Sequence, residues 1–442
     1  MKSEKFKDQN MLKNKKLLLL GGSRNDIEFI KYAHEMGVKV GVTDWYDTNR
    51  SPAKLYADEY FNVSISDINE LDKLIKENGY DGVLTGFTDS YLEYYVDLCE
   101  KSNLYCYGTK DNIKKLTHKD IYKDLFIKYK VPTLRNYEPE EIDNNFNDYP
   151  IVIKPVDGSG GNGLKIVRNF EEFNEALSQS KDKSKISKVI IEPYIENRKE
   201  LTAFFVFVDG QVYYPGSANR FLSKAQGEKI GLPVLYTLQS SEDDNFRKNV
   251  LPNMTNMFKD MEVKNGILFA QCIIDDDQIY VYDLGYRTTG TLEYKLFDKI
   301  YGTNTMKMLI NHALTGTMDM YGIKDYQKIF ETDKIACNLT ILGKEGIVKD
   351  IKGVDEIKSM DKIIDFQIKT APGDEITSNM IGTLGQIIGR VFFVCNNLDE
   401  VIDIISRIYD KVDVIDDKNN NMILDTIDKN DILEMYNRQY HG

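Results

Sequence analysis

A lysine at the end of a predicted strand, followed at once by a glycine-rich loop, could bind phosphate. Residues 151–163 read IVIKPVDGSGGNG, in which Lys154 closes the apolar run and four glycines follow. Glycines let the backbone approach another group closely, although a surface linker also uses them. The strand patterns on both sides, IVIK and LKIV, favour a hairpin whose backbone amides surround a phosphate group.

A second stretch, GILFAQCIIDDDQIYVYDLGYR at 266–287, predicts a β-hairpin that turns at its three consecutive aspartates. Gln271 and Asp283 then lie nearly opposite each other and point to the same side. Because side chains alternate along a strand, Gly285 and Arg287 join that face. Such a face could hold a metal ion and an anionic group. A solvated sheet face with an ordinary Asp–Arg pair explains the hairpin alone equally well.

The composition limits the classes of partner. The chain has 442 residues, enough for two or three domains, and a net charge of −13, which argues against a nucleic-acid groove or an anionic membrane surface. No apolar run approaches the ~20 residues of a membrane span, and the charged first residues lack the apolar core of a signal peptide. The five cysteines are scattered without a CxxC pair, and the four histidines are dispersed. We therefore expect a cytoplasmic protein with reduced thiols and no histidine-based zinc site.

The elements that must position these residues fall into an α/β part and later α+β parts. From 16 to 108, amphipathic helices separate the strand patterns KLLLLGG, KVGVTD, EYFNVS, GVLTG and LYCYG, which predicts a parallel sheet covered by helices. The turn GGSRND lacks the GxGxxG spacing of a dinucleotide site, so tight strand-to-helix turns explain its glycines.

The changes in strand and helix pattern along the chain predict four segments. Residues 1–15 form a charged tail, 16–108 the N-terminal α/β domain, 109–325 a central domain with a small lid at about 134–195, and 326–442 a C-terminal α+β domain. Within them, 109–132 is predicted to be helical and ACNLTILGKEGIVKDIKG to form a hairpin. Asn397 with Glu400 predicts the capped start of a helix through VIDIISRIY.

The order of these segments resembles the ATP-grasp superfamily, specifically its carboxylate–amine ligases. The chain is similar to L-amino-acid ligases and to the ATP-grasp domains of carbamoyl-phosphate synthetase and biotin carboxylase. The resemblance covers roughly 16–325 through YGTKDNIKKLTHKDIYKDLFIKYKVPT, VIKPVDGSGGNG, VIIEPYIENRKEL and GILFAQ…YVYDLGYRTTG. The C-terminal segment looks like the domain that follows the grasp in L-amino-acid ligases.

This resemblance implies a set of ATP-binding and catalytic residues. Lys119 and Lys154 would hold the ATP phosphates, and Arg287 would steady the acyl-phosphate or the transferring phosphoryl group. The remaining implied residues contact the nucleotide. They are a flap of Gly158, Ser159, Gly160, Gly161 and Gly163, a hinge of Glu192, Tyr194 and Ile195 that reads adenine through main-chain groups, and Glu200 on the ribose hydroxyls.

The implied metal site departs from the family pattern. The family usually supplies Glu, Glu and Asn to magnesium, where this chain has Gln271, Asp283 and Gly285. His118 also replaces the usual acid before Lys119. Because magnesium prefers carboxylates and keeps waters and phosphates in its shell, Asp283 and Gln271 are the expected Mg²⁺ ligands, with the number of ions open.

The resemblance implies an ATP-dependent ligase that joins a small-molecule carboxylate to an amine, with amino acids as candidate substrates. An ATP-grasp phosphotransferase and a nucleotide-binding protein without turnover are the alternatives. The loop GSANRFLSKAQGEKIGLP at 216–233 is expected over the acceptor pocket, with Arg220 and Lys224 available to an anionic substrate; a solvated basic loop is as consistent. The sequence leaves the substrates and the oligomeric state open, a homodimer being one option.

Overall fold

The computed structural model describes residues 12–158, 163–196, 198–223, 231–424 and 426–436. Among these residues, no helix is both long enough and apolar enough to cross a membrane.

The N-terminal segment is a parallel sheet with helices packed on it, as predicted. Its four strands stand in the order β3-β2-β1-β4, and all pairs are parallel. The elements are β1 Lys16–Leu20, α1 Asp26–Glu35, β2 Lys39–Thr43, β3 Glu59–Phe61, α2 Ile68–Asn78, β4 Gly82–Thr85 and α3 Leu92–Ser102.

The fifth predicted strand, LYCYG at 104–108, is wrong, because these residues pair with no strand. Leu104, Cys106 and Tyr107 pack into the core instead, whereas Tyr105 is exposed. The ring of Tyr107 lies edge-on against Tyr286 and at a tilt to Tyr95. Aromatic residues thus gave a strand-like pattern to a stretch that forms no strand.

The predicted helix at 109–132 is two helices, α4 at Lys110–Thr117 and α5 at Lys119–Tyr129. The helical conformation is interrupted at His118, whose ψ of 116° is extended. This break places Lys119 in the first turn of α5, at the edge of the site described below.

A small antiparallel sheet forms the predicted lid region. Its strands, in the order β6-β5-β7, are β5 Ile151–Pro155, β6 Lys165–Val167 and β7 Val189–Pro193, and α6 Phe170–Lys183 packs against them. The glycine loop connects β5 to β6. Buried apolar side chains of the three strands and α6 form a separate small core.

A large eight-stranded sheet carries the rest of the site. It begins with β8 Lys199–Val208, β9 Gln211–Leu222, β10 Pro233–Leu238, β11 Gly266–Asp275 and β12 Gln278–Gly285, with the helices α7 Asp243–Asn249, α8 Leu251–Asp260, α9 Tyr294–Tyr301 and α10 Thr305–Thr315. The order β12-β11-β8-β9-β10-β13-β17-β15 continues into strands from beyond residue 326.

The large sheet therefore extends past the predicted boundary at 325–326, because it includes strands from the later part of the chain. The later elements are β13 Ile335–Leu342, β14 Gly346–Lys352, α11 Val354–Lys358, β15 Ile363–Ile368, β16 Glu375–Ile376, β17 Ile387–Cys395, α12 Leu398–Lys411, β18 Asp413–Asp416 and α13 Lys429–Tyr436. β13, β15 and β17 complete the large sheet, while β16-β14-β18 form a small one. The segment also has a hydrophobic core of its own, to which β9 and β10 contribute. The division at this boundary stays a prediction.

The predicted hairpin at 336–353 is wrong. β13 pairs with β10 on one side and β17 on the other, whereas β14 pairs with β16 and β18. Nearly all of β13 is buried, so it suits an interior strand of the large sheet. The predicted helix cap is confirmed, because the side chain of Asn397 accepts a hydrogen bond from the backbone N–H of Glu400.

Candidate active site

The hairpin of β11 and β12 has the predicted register at its polar residues. Gln271 lies opposite Asp283, and Thr202 of β8 lies opposite Gln271 on the other side. The pairing shifts at Tyr282, which forms a bulge, and the turn at Asp276-Asp277 has positive φ angles of 42° and 66°. Gln271 and Asp283 therefore share one face of the large sheet.

Asp283 is held by groups from α5. The hydroxyl of Tyr122 donates to Asp283 Oδ1 at 2.7 Å, and Lys119 Nζ lies 3.5 Å from the same oxygen. Burial raises the pKa of Asp283, but the charges of Lys119 and Lys154 and the tyrosine hydrogen bond outweigh it and hold the pKa below its ordinary value. The carboxylate is thus ionised within a group of cations.

Two lysines reach toward Asp283 from different elements. Lys119 donates to the carbonyl of Gly158, at the start of the glycine loop, at 2.8 Å. Lys154 Nζ lies 2.6 Å from Glu192 Oε2, because the two residues are diagonal neighbours on β5 and β7. Burial, then the charges of Lys119 and Arg198, lower the pKa of Lys154 to about 8. It therefore keeps most of its charge at neutral pH.

The predicted adenine hinge lines the same space, but several of its groups already have partners in the chain. Glu192 is 1% exposed and contacts Lys123 as well as Lys154. The backbone N–H of Tyr194 donates to the carbonyl of Pro150 at 2.8 Å. The Ile195 carbonyl accepts from the guanidinium of Arg198. Adenine recognition by this segment stays a prediction.

Glu200 lies between two arginines. Arg198 Nε donates to one carboxylate oxygen at 2.7 Å, and Arg220 Nη1 donates to the other at 2.5 Å. Arg220 lies directly opposite Glu200 on β9 and also donates to the hydroxyl of Tyr282 at 2.8 Å.

The predicted loop at 216–233 is therefore wrong over its first part, which belongs to β9. Arg220 is a buried, ion-paired strand residue and not part of a solvated basic loop.

Arg287 is fixed at the far side of Asp283 by a residue of the N-terminal segment. Its Nε and Nη2 donate to the two carboxylate oxygens of Asp89 at 2.7 and 2.6 Å. Gly285, which lies between Asp283 and Arg287 along the chain, has no room for a side chain. A Cβ there would lie 2.2 Å from the ring of Phe269. The guanidinium of Arg287 lies 5.2 Å from the centre of that ring.

Every predicted site residue that the structure describes lines one cavity of about 1230 Å³. These residues are Lys119, Lys154, Gly158, Gly163, Glu192, Tyr194, Ile195, Glu200, Arg220, Gln271, Asp283 and Arg287. The predicted residues Ser159, Gly160, Gly161 and Lys224 lie outside the described residues. The sequence prediction thus placed residues from α5, the lid and the large sheet in one site, and the roles assigned to them stay predictions.

Known proteins resemble part of this chain in sequence and most of it in fold. Residues 130–211 match the family described as the ATP binding domain of the carbamoyl-phosphate synthase L chain. The fold is similar to the crystal structure of L-amino acid ligase from Bacillus licheniformis, with a TM-score of 0.74 at 17% identity over 91% of this chain and 99% of that one. It is also similar to the biotin carboxylase domain dimer of Hydrogenobacter thermophilus 2-oxoglutarate carboxylase in complex with MgADP, ADP and bicarbonate. That match has a TM-score of 0.72 at 16% identity and covers 96% of this chain and 93% of that one.

This chain has an ATP-grasp fold. The predicted fold class is confirmed, with its parallel N-terminal sheet and its large antiparallel sheet. In sequence, the chain is 32% identical over 206 residues to formate-dependent phosphoribosylglycinamide formyltransferase of Sulfurisphaera tokodaii, covering 42% of this chain and 49% of the relative. The chain spans about half the length of the first curated relatives it matches.

Some residues of this candidate site were not predicted. Tyr122 and Lys123 follow Lys119 by three and four positions, so helical spacing alone would have placed them on the same face of α5. Asp89 gave no comparable signal, because it is 198 residues from Arg287 in sequence.

The donor groups on the hairpin fit a magnesium ion held mainly by phosphates. Asp283 offers an ionised carboxylate and Gln271 an amide oxygen that accepts from Tyr282 at 3.2 Å. The described residues contain no cluster of three or more His, Cys, Asp or Glu side chains suited to a metal. Mg²⁺ binds through one or two protein oxygens when waters and substrate phosphates complete its shell. Gln271 and Asp283 fit that arrangement and leave the Gly285 position filled by Phe269.

Proposed function

We propose that this ATP-grasp protein is an ATP-dependent carboxylate–amine ligase that works through an acyl-phosphate. The observation that carries the proposal is the single cavity, which contains Lys119, Lys154 and Asp283 and extends past Arg287. Its volume of about 1230 Å³ exceeds the roughly 300–1,000 Å³ of a pocket for one ligand. It therefore has room for a nucleotide and a second small molecule.

The nucleotide would lie between the lid and the large sheet. Lys119 and Lys154 would bind the phosphates, and the Gly158 end of the glycine loop lies beside Lys119. Asp283 and Gln271 would hold Mg²⁺, which supplies positive charge to offset that of the phosphates. The lysines come from α5 and β5, so closing the lid would bring both onto the same phosphate groups.

The reaction needs charge stabilisation and positioning from the protein rather than a covalent intermediate on it. A substrate carboxylate oxygen attacks the γ-phosphorus, and the bond from that phosphorus to the ADP oxygen breaks. The amine nitrogen then attacks the acyl carbon, phosphate leaves, and the nitrogen loses a proton to give an amide. Arg287, held by Asp89, lies where it could stabilise the charge that develops on the transferring group.

Release of ADP and phosphate, measured with amino acids and other small acids and amines in pairs, tests this proposal. Ligation requires release that depends on both an acid and an amine, with one ADP and one phosphate for each amide formed. A phosphotransferase would give ADP and a phosphorylated acceptor without free phosphate.

A nucleotide-binding protein without turnover remains the second candidate, because Phe269 fills the position where the family has a third metal ligand. It would bind ATP and release neither product. Lys154→Ala serves as the matched negative control for the ligation assay, because it removes one phosphate-binding charge.

A further inference from the structure

Two threonine hydroxyls and a buried carboxylate lie in the turn that follows Arg287. Thr289 and Thr291 line the cavity, and Glu293 is 7% exposed. The hydroxyl of Thr289 donates to Glu293 Oε2 and is also hydrogen-bonded to the hydroxyl of Thr291. Thr291 Oγ1 lies 3.3 Å from the same carboxylate oxygen. Hydrogen-bonded hydroxyls therefore connect the wall of the cavity to Glu293.

The partners of Glu293 differ from those of other carboxylates at the cavity. Four carboxylates that line it each form an ion pair with a lysine or an arginine: Asp89, Glu192, Glu200 and Asp283. A nearby cation stabilises the ionised form of a carboxylate and so makes it a weaker base. Among the described residues, Glu293 forms no ion pair, although its charge acts on Arg390 of β17.

Burial makes Glu293 a stronger base. It raises the pKa of Glu293 by more than the hydrogen bonds from Thr289 and Thr291 lower it. A buried carboxylate that is held by hydroxyls instead of a cation is costly for stability alone. Such a group beside a cavity is a candidate for proton transfer.

The turn holds these hydroxyls close to Arg287. Thr289 is two residues from Arg287, so their Cα atoms lie within about 7 Å of each other. The backbone N–H of Thr291 donates to Thr289 Oγ1 at 3.1 Å, and Asn338 Nδ2 of β13 donates to the carbonyl of Thr291 at 2.6 Å. The hydroxyls are therefore fixed beside the arginine to which the proposed function assigns the acyl-phosphate.

We propose that Glu293, acting through Thr289 and Thr291, accepts the proton that the amine loses when it attacks the acyl-phosphate. This role depends on the proposed ligation. The bond from nitrogen to the acyl carbon forms, and the bond from that carbon to the phosphate oxygen breaks. The proton of the nitrogen passes to Thr291 Oγ1, the proton of Thr291 to Thr289, and the proton of Thr289 to Glu293. The reverse route then returns one proton to the departing phosphate.

Hydroxylamine in place of the amine separates the two halves of the reaction. Hydroxylamine is unprotonated at neutral pH and attacks an acyl-phosphate without a general base, giving a hydroxamate that iron(III) detects. Glu293→Gln should therefore form hydroxamate from acid, ATP and magnesium at the wild-type rate, with an unchanged KM for ATP. With an amine, the same variant should lose about 100-fold or more in kcat, because a positioned general base contributes ~10²–10⁴-fold.

Thr291→Val and Thr291→Ser provide a matched pair. Valine has the shape of threonine without the hydroxyl, whereas serine keeps the hydroxyl. Thr291→Val should keep hydroxamate formation and lose amide formation, as Glu293→Gln does, and Thr291→Ser should keep both. Thermal unfolding of each variant shows that it is folded. If Glu293→Gln does not fold, the Thr291 pair still decides whether the hydroxyl carries the proton.

Three outcomes would overturn the relay. Wild-type amide formation in Glu293→Gln and Thr291→Val would mean that the proton leaves by another route. An equal loss of hydroxamate and amide would mean that Glu293 only shapes the turn before α9. In both cases the proposed ligation stands. A wild type that forms neither hydroxamate nor amide refutes the ligation itself, and the relay with it.

Discussion

Asp283 offers the sharpest test of how the site handles magnesium. The variant Asp283→Asn keeps the shape of the side chain and an oxygen that can accept from Tyr122, but it removes the negative charge beside Lys119 and Lys154. The companion variant Gln271→Glu adds a carboxylate directly opposite. Asp283→Asn removes the one carboxylate of this opposed pair, and Gln271→Glu gives the pair two.

The distance to Lys119 sets the scale of the effect. At 3.5 Å and an effective dielectric of about 20, one unit charge on Asp283 interacts with another by about 5 kcal/mol before desolvation is subtracted. We expect about 3 kcal/mol to remain for a bound magnesium ion, which corresponds to a loss in affinity on the order of 100-fold in Asp283→Asn. Gln271→Glu should lower the magnesium concentration needed for half-maximal activity.

The assay is ATP turnover titrated with magnesium at saturating acid and amine, with thermal unfolding measured on each variant to show that it is folded. The matched control is Asp260→Asn, because Asp260 is an exposed aspartate that accepts a tyrosine hydrogen bond, from Tyr129 at 3.1 Å. Wild-type rate and magnesium midpoint in Asp283→Asn would refute the metal assignment. The face would then carry an ordinary ion pair, typically worth about 0–1 kcal/mol.

Four further changes have defined outcomes. Lys154→Ala should abolish turnover while the protein stays folded, and activity and unfolding curves together check this. Glu200→Gln leaves two buried arginines short of a charged partner and should lower the free energy of unfolding by about 3–5 kcal/mol in urea titrations; an unchanged value would contradict the pairing. Gly285→Ala should lower the free energy of unfolding by about 1–3 kcal/mol, because the new methyl group would clash with the ring of Phe269. Adding Phe269→Leu should relieve this clash and restore part of the lost stability. Burial lowers the pKa of His312 from 6.5 to about 4. The unfolded chain therefore binds more protons than the folded chain between these pH values, and the free energy of unfolding decreases as the pH falls. His312→Leu should make this decrease between about pH 7 and pH 5 smaller by about 2 kcal/mol.

The parts of the site that follow from local patterns could be read from the sequence. That Gln271 and Asp283 belong to facing strands of one hairpin follows from a local pattern, but their direct opposition also needs the bulge at Tyr282, because the two-residue turn alone would place Tyr282 opposite Gln271. Lys154 follows from an apolar run that ends at a glycine loop. Asn397 followed by Glu400 is a capping pattern that needs no tertiary information.

The features that depend on pairing between distant residues could not be predicted from the sequence. An apolar strand such as β13 has no mark that selects β10 and β17 over the adjacent β14, because its buried residues would suit any interior position. The contact of Asp89 with Arg287 likewise depends on how two segments 198 residues apart in sequence pack together.

Transfer of oxygen from the acid to phosphate tests the central claim most directly. If the protein forms an acyl-phosphate, a substrate labelled with ¹⁸O in its carboxylate must deliver one labelled oxygen to each phosphate released, because the attacking carboxylate oxygen leaves with the phosphorus. The measurement is mass spectrometry of the phosphate formed with acid, amine, ATP and magnesium, with Lys154→Ala as the control. We predict one ¹⁸O for each phosphate in the complete reaction. Phosphate released without the label while amide forms would contradict ligation through an acyl-phosphate.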